Sequence, residues 1–253
     1  MRSILSLLLL LGVPFSPAAS SAGGDRSEEL EALLERSDVA YARRDDPGAL
    51  EEARTALEEA ERTAPDDYEV EWRLARLDLW IADDPALPKE QKSQLGKEAW
   101  EHGDRAIRAD PNRVEGWNYA AAGVGNYALG IGLFRALGED LEGKFRERLS
   151  RAERIDADFQ HGAIQTAWGR FWSRLPWPKY DARKSERALK EALEKNPDNV
   201  RAHVYLAELY AREGQQERAR TELERALAHP PGQYDAPEER RMQTVARAEL
   251  GPP

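Results

Sequence analysis

The 253-residue sequence holds 37 lysines and arginines against 47 aspartates and glutamates, a net charge of −10, and no cysteine. That balance argues against nucleic acid, which calls for a clustered basic face, and weakly disfavours anionic membrane surfaces. The missing thiols exclude disulfides, thiolate metal sites and a lipid-anchored amino-terminal cysteine.

Arg2, the apolar run Ile4 to Val13 and the small residues Pro17 to Ala22 read as a secretory signal over residues 1–22. The run is too short for a permanent bilayer span, which needs roughly 20 residues. Cleavage near Ser21 or Ala22 releases a soluble periplasmic or secreted protein, with residues 23–253 as a single helical-repeat domain. Losing Arg2 takes the charge from −10 to −11.

Ser27-Glu-Glu-Leu30 caps a first helix carrying Leu30, Leu33, Leu34 and Tyr41, broken at Asp45-Asp46-Pro47-Gly48. A return helix with Ala53, Leu57 and Ala60, then Pro65, completes a hairpin over about 27–65. The second hairpin, 68–111, opens with Val70, Leu74, Leu77 and Ile81 on one face and Trp72, Ala75 and Leu79 on another. A helix apolar on two faces is sandwiched between neighbours. Its return helix, Lys89 to Ala109, follows a connection long enough to predict an extended helix or an ordered loop.

The third hairpin, 114–157, contains no charge from Gly116 to Phe134 and is punctuated by Gly123, Gly125, Gly130 and Gly132. A membrane span and a buried helix packed closely at its glycines both fit, although Asn118, Asn126 and the glycines weaken the span. The fourth, 159–197, runs through Trp168, Trp172 and Leu175-Pro176-Trp177-Pro178 to a return helix with Leu189 and Ala192.

The fifth, 200–231, is one uninterrupted unit. Counted from Val200, residues Leu206, Ala207 and Tyr210 fall at positions 7, 8 and 11, and Ala219, Leu223, Ala226 and Pro231 at 20, 24, 27 and 32. That spacing is the tetratricopeptide pattern: two amphipathic helices, small residues where they cross, and a closing proline. The fold class expected is therefore all-α, a right-handed tetratricopeptide-like stack of about five antiparallel hairpins. A charge-rich helix over 236–250 caps its open end.

No catalytic constellation is written here. His102, His161, His203 and His229 lie far apart, and none has a second histidine at helical i, i+4 spacing. Asp66-Asp67 and Asp83-Asp84 sit beside prolines, where carboxylates cap helix starts. Neither an enzyme, a metal site nor a cofactor is predicted. The better candidate is a groove. The first helix of each repeat turns positions 2, 5, 9 and 12 or 13 toward the concave side, which selects Trp72, Arg76 and Trp80, then Asn118 and Asn126. Hairpin four adds His161, Ile164, Trp168 and Trp172; hairpin five adds Arg201, Val204 and Glu208. Aromatic platforms beside polar groups suit a peptide or small ligand, and core packing is the competing reading for each tryptophan.

The run Gly162 to Gly169-Arg170, then Leu175-Pro176, Ser185-x-x-Ala188-Leu189-x-x-Ala192, Asn196-Pro197-Asp198 and Arg201-x-x-x-Tyr205-Leu206-Ala207-x-x-Tyr210 resembles the T-component family of tripartite ATP-independent periplasmic (TRAP) transporters. The resemblance implies an exported all-helical protein that associates with a periplasmic substrate-binding protein and handles a small apolar ligand. Two departures stand against it: the absent lipoprotein cysteine, and Thr166 before Ala167-Trp168-Gly169, where the family tends to have an arginine just before a Leu-Gly pair. Two readings follow: an envelope adaptor for a protein or peptide partner, and a transporter-associated ligand handler.

Overall fold

The computed structural model describes residues 27–228, 230–232 and 234–251, so the signal-like run lies outside the described residues. Helices pair antiparallel along the chain. They are α1 (Glu28–Ala42) with α2 (Ala49–Thr63) and α3 (Tyr68–Ala82) with α4 (Lys89–Ala109), followed by α5 (Val114–Ile131) with, beyond the short α6 (Leu133–Gly138), α7 (Leu141–Ile155). After a 3₁₀ turn at Phe159–His161 come α8 (Ala163–Arg174) with α9 (Ala182–Lys195), α10 (Val200–Arg212) with α11 (Gln216–Ala228), and a final α12 (Ala236–Leu250). No strand occurs among the described residues. The expected all-α stack of five hairpins and a capping helix is what forms.

Local chemistry sets the helix starts. Ser27, Asp67, Asp181, Asn199 and Asp235 each accept a backbone N–H of the first turn they precede. Positive-φ glycines, Gly48 and Gly214, turn the chain between paired helices. The extra residues of the second repeat lengthen α4 to 21 residues, the first of the two alternatives its sequence allowed.

The uncharged stretch becomes α5, held between α4 and α7, and among the described residues no helix is long and apolar enough to cross a membrane. Glycine explains its packing. A Cβ on Gly103 would lie 2.7 Å from Ala120, one on Gly123 2.5 Å from the Trp100 nitrogen, and one on Gly130 2.4 Å from Ser93. Each step of three or four residues along α4 is matched by an equal step back along α5. The two backbones therefore touch along nearly their whole length.

Among the described residues four apolar clusters run through the stack, one around Leu30, Leu57 and Leu74, the next around Trp72 and Tyr119, then Leu149 and Ile164, then Leu206 and Leu223. The stack also curves enough for its last helix to meet its first hairpin. Arg240 of α12 pairs with Asp45 at 2.6 Å, and Arg241 donates to the Trp80 carbonyl at 2.7 Å. Across the same concave side, Arg201 of α10 reaches Asp83 at the end of α3 at 2.5 Å.

Candidate functional site

On α3, positions 72, 76 and 80 recur every four residues and so share a face, with Arg73 beside them. The end of α1 brings Tyr41 and Arg44 against that face. The result is an alternating column of guanidinium groups and rings. Arg241 lies 3.3 Å from the Trp80 ring centre and Arg44 4.1 Å from it on α1's side; Arg44 is also 4.2 Å from Tyr41. Arg76 then lies 3.9 Å from Tyr41 and 4.8 Å from Trp72, and Arg73 closes the row 4.2 Å from Trp72. Trp72 stacks in turn on Tyr119 at 6.0 Å. Each such contact is worth about 0.5–2 kcal/mol, more where water is excluded.

Four like charges this close need acceptors. Asp38 takes Arg73 and Arg76, at 2.8 and 2.6 Å, and Glu69 takes Arg73 at 2.6 Å and also Arg113. Burial would raise the Glu69 carboxyl, but bonds from Arg113, Trp72 and Arg73 outweigh it and hold the pKa at about 2. Burial pushes the Tyr41 hydroxyl well above its ordinary value, so it stays neutral. Three donors remain unanswered: Arg44 Nε, Arg76 Nε and Trp80 Nε1 are buried without a hydrogen-bond partner. Such donors are costly, and they mark where an acceptor is wanted.

The segment leading into α12 crosses this face. The Tyr234 ring sits 5.1 Å from His161, both oxygens of Asp235 lie 2.6 Å from Arg44 Nη2, and Glu238 accepts from Arg201. Burial would lower the Arg201 pKa, but Asp83 and Glu238 raise it well above its usual value, fixing the charge. Glu239 accepts from the backbone nitrogens of Gly232, Tyr234 and Asp235, which shapes the approach to the helix. Between this segment and the first hairpin lies an open cavity of about 300 Å³, lined by Arg44, Leu50, Trp80, Pro237, Arg240 and Arg241 among others.

The structure divides the residues predicted for the groove. Trp72, Arg76 and Trp80 form the column, Arg201 stands beside it, and His161 lies under Tyr234. Glu208, about two turns beyond Arg201 on α10, is shared by Arg170 and Arg174 of α8. Ile164, Val204 and Asn118 are buried, and Asn126 donates to its own Ala122 carbonyl at the α4 seam. Trp168 and Trp172 pack elsewhere: with Phe145 of α7 and Phe171 they make a separate aromatic cluster, and Lys184 of α9 covers Trp172. Sequence reasoning missed Arg44, Asp235 and Arg241, whose partners lie 161 or 191 residues away. Tyr41 enters the sequence reading only among the residues that the first helix carries.

Among the described residues, Glu61, Glu71 and His102 bring three potential metal-ligand atoms within 4.8 Å of one another. The guanidinium of Arg105 already fills that space, with Nε 2.9 Å from Glu71 and Nη2 2.6 Å from His102 Nδ1. His203 is engaged by Glu222 and the Pro197 carbonyl.

Comparison with known proteins follows the same lines. No curated protein matches the chain. A thermophilic TPR protein of Thermus thermophilus is similar at 21% identity and a TM-score of 0.64, covering 87% of this chain and 98% of its own. The pilF protein of Pseudomonas aeruginosa is similar at 16% identity and a TM-score of 0.54, covering 88% and 90%. Neither relative is described as a TRAP T-component. Residues 180–237 match the family model described as tetratricopeptide repeat, and with these likenesses the chain has a tetratricopeptide-like helical-repeat fold.

Proposed function

We propose that this protein is a non-catalytic adaptor of the cell envelope whose concave face, between α1, α3, α10 and α12, receives a segment of a partner protein. The observation carrying this reading is the column of four guanidinium groups and three rings with buried donors unspent. Trp72 and Trp80 are themselves buried, so the rings hold the guanidinium groups in place, and those forks reward carboxylates in fixed geometry. The envelope location rests on reading Ile4 to Val13 as an export signal. Mass spectrometry of the exported protein should find a chain beginning near Ala22 or Gly23.

The transporter-associated reading asks for an enclosed apolar cavity near Gly123–Phe134 and Trp168–Trp177. Two open cavities lie instead at the α12 seam, beside Arg44 and Trp80, and on the α1–α3 surface, beside Asp38 and Arg73, and the adaptor reading draws on the first. Selection of random peptides on the immobilised protein tests it. Enriched peptides should be acidic and should bind at least tenfold more weakly to Arg201→Ala, while Arg220→Ala, on the exposed face of α11, binds normally. Peptides indifferent to Arg201→Ala would refute a concave-face site.

A further inference from the structure

The concave face is not empty, and what occupies it is instructive. The segment Tyr234 to Arg241 touches four of the five hairpins: Arg44 and Asp45 of the first, Trp80 of the second, His161 of the fourth and Arg201 of the fifth. It does so with an aromatic residue, then a carboxylate at a helix N-cap, then a second carboxylate within the first turn, followed by Arg240 and Arg241. A helix whose only task was to cover the apolar end of the stack needs Met242 and Ala246 against the α10–α11 cluster, and nothing more.

The fit is also incomplete. Both Asp235 oxygens crowd onto one nitrogen of Arg44, while Nε of the same guanidinium has no acceptor. A carboxylate meeting Arg44 edge-on would engage Nε and Nη2 together, the stronger bidentate arrangement. The cavity beside Arg44 leaves room for that approach.

We propose that Tyr234–Arg241 is an internal ligand of the concave face, and that the partner is a protein segment of the same chemistry, an aromatic residue followed by an acid-capped helix start, which binds by displacing it. This rests on the concave face being the binding surface. The internal copy sets a threshold: only a segment that uses the unspent donors outcompetes one tethered at high effective concentration.

A fluorescein-labelled peptide of residues 230–251, titrated into the full chain, tests the proposal. Asp235→Asn with Arg240→Ala weakens the latch but keeps an N-cap on α12. The double variant should bind the peptide at least tenfold more tightly than the unaltered chain. A peptide carrying Asp235→Asn and Glu238→Gln should lose that binding. Amide exchange in α12 should quicken about tenfold in the variant while α10 and α11 keep their rates.

Equal peptide affinity for both proteins would overturn the proposal, as would α12 exchange that rises only in step with α10 and α11. If selected acidic peptides bind through Arg201 yet leave α12 exchange unchanged, the groove stands and the internal ligand falls. If α12 is released selectively but neither kind of peptide binds, the concave-face reading itself fails. A stable dimer of the variant, seen by sedimentation, would make a second copy the occupant and also refute the proposal.

Discussion

Two glycines on one helix give the packing its sharpest test. Gly123 and Gly125 of α5 are both helical, so alanine at either gains roughly 1 kcal/mol of helix propensity. Their surroundings differ. A Cβ at 123 would stand 2.5 Å from the Trp100 nitrogen, 2.8 Å from its Cα and 2.9 Å from the Gly96 carbonyl oxygen, all backbone atoms. At 125 the nearest atoms are ring carbons of Phe145 at 3.5 and 3.7 Å, an ordinary contact. Relief at 123 requires α4 and α5 to separate by about 1 Å, which forfeits much of the dispersion along their shared length. Overpacking of this kind costs about 1–3 kcal/mol, and backbone contacts belong at the upper end, so Gly123→Ala should lose about 2 kcal/mol net. Gly125→Ala should gain about 0.5–1 kcal/mol. For a chain of this size the melting temperature should fall by about 4–8 °C in the first variant and rise by about 1–4 °C in the second. Calorimetry reads both. Equal stabilisation by the two alanines would refute the glycine-mediated approach of α4 and α5.

Other outcomes follow from the same structure. Leu206→Ala empties a fully buried site in the last hairpin and should cost about 2–5 kcal/mol, read from urea midpoints. The carboxyl of Glu69 is held at about 2 in the folded protein against 4.5 ordinarily, so the stability it confers is present at neutral pH and is lost as pH falls from about 4.5 toward 2. Glu69→Gln should flatten the acid limb of the stability curve; an unchanged limb would mean the arginines around it are not the cause. Trp177 is 87% exposed, so Trp177→Ser should change stability by less than about 0.5 kcal/mol, in contrast to any buried tryptophan.

The helical repeat was legible because its signal is local. Ala207 and Ala219 sit where two helices must cross, Pro231 where one must end, and such requirements repeat with the unit. The Gly116–Phe134 stretch was ambiguous because an uncharged helix can meet lipid or two other helices, and only the partner α4 decides. The shared face of α3 was legible. Spacing put Trp72, Arg76 and Trp80 on one face of α3, since a straight helix keeps its register. The same positions in α8 turned Trp168 and Trp172 toward α7 and α9, because the 3₁₀ turn and positive-φ Gln160, His161 and Gly162 before that helix reset its rotation. Arg44, Asp235 and Arg241 carry no periodic mark. Their roles exist only because the superhelix brings chain ends together.

That meeting of ends changes how the molecule should come apart. An open array of repeats frays from its termini, each unit leaning on its neighbour alone, and melts over a broad range. Here the ion pair of Asp45 with Arg240 and the bond from Arg241 to Trp80 bind head to tail, so loosening either terminus costs contacts at the other. The protein is a hoop more than a column, and it should melt sharply, as one cooperative body, until a ligand that unfastens the join makes its two extremities independent.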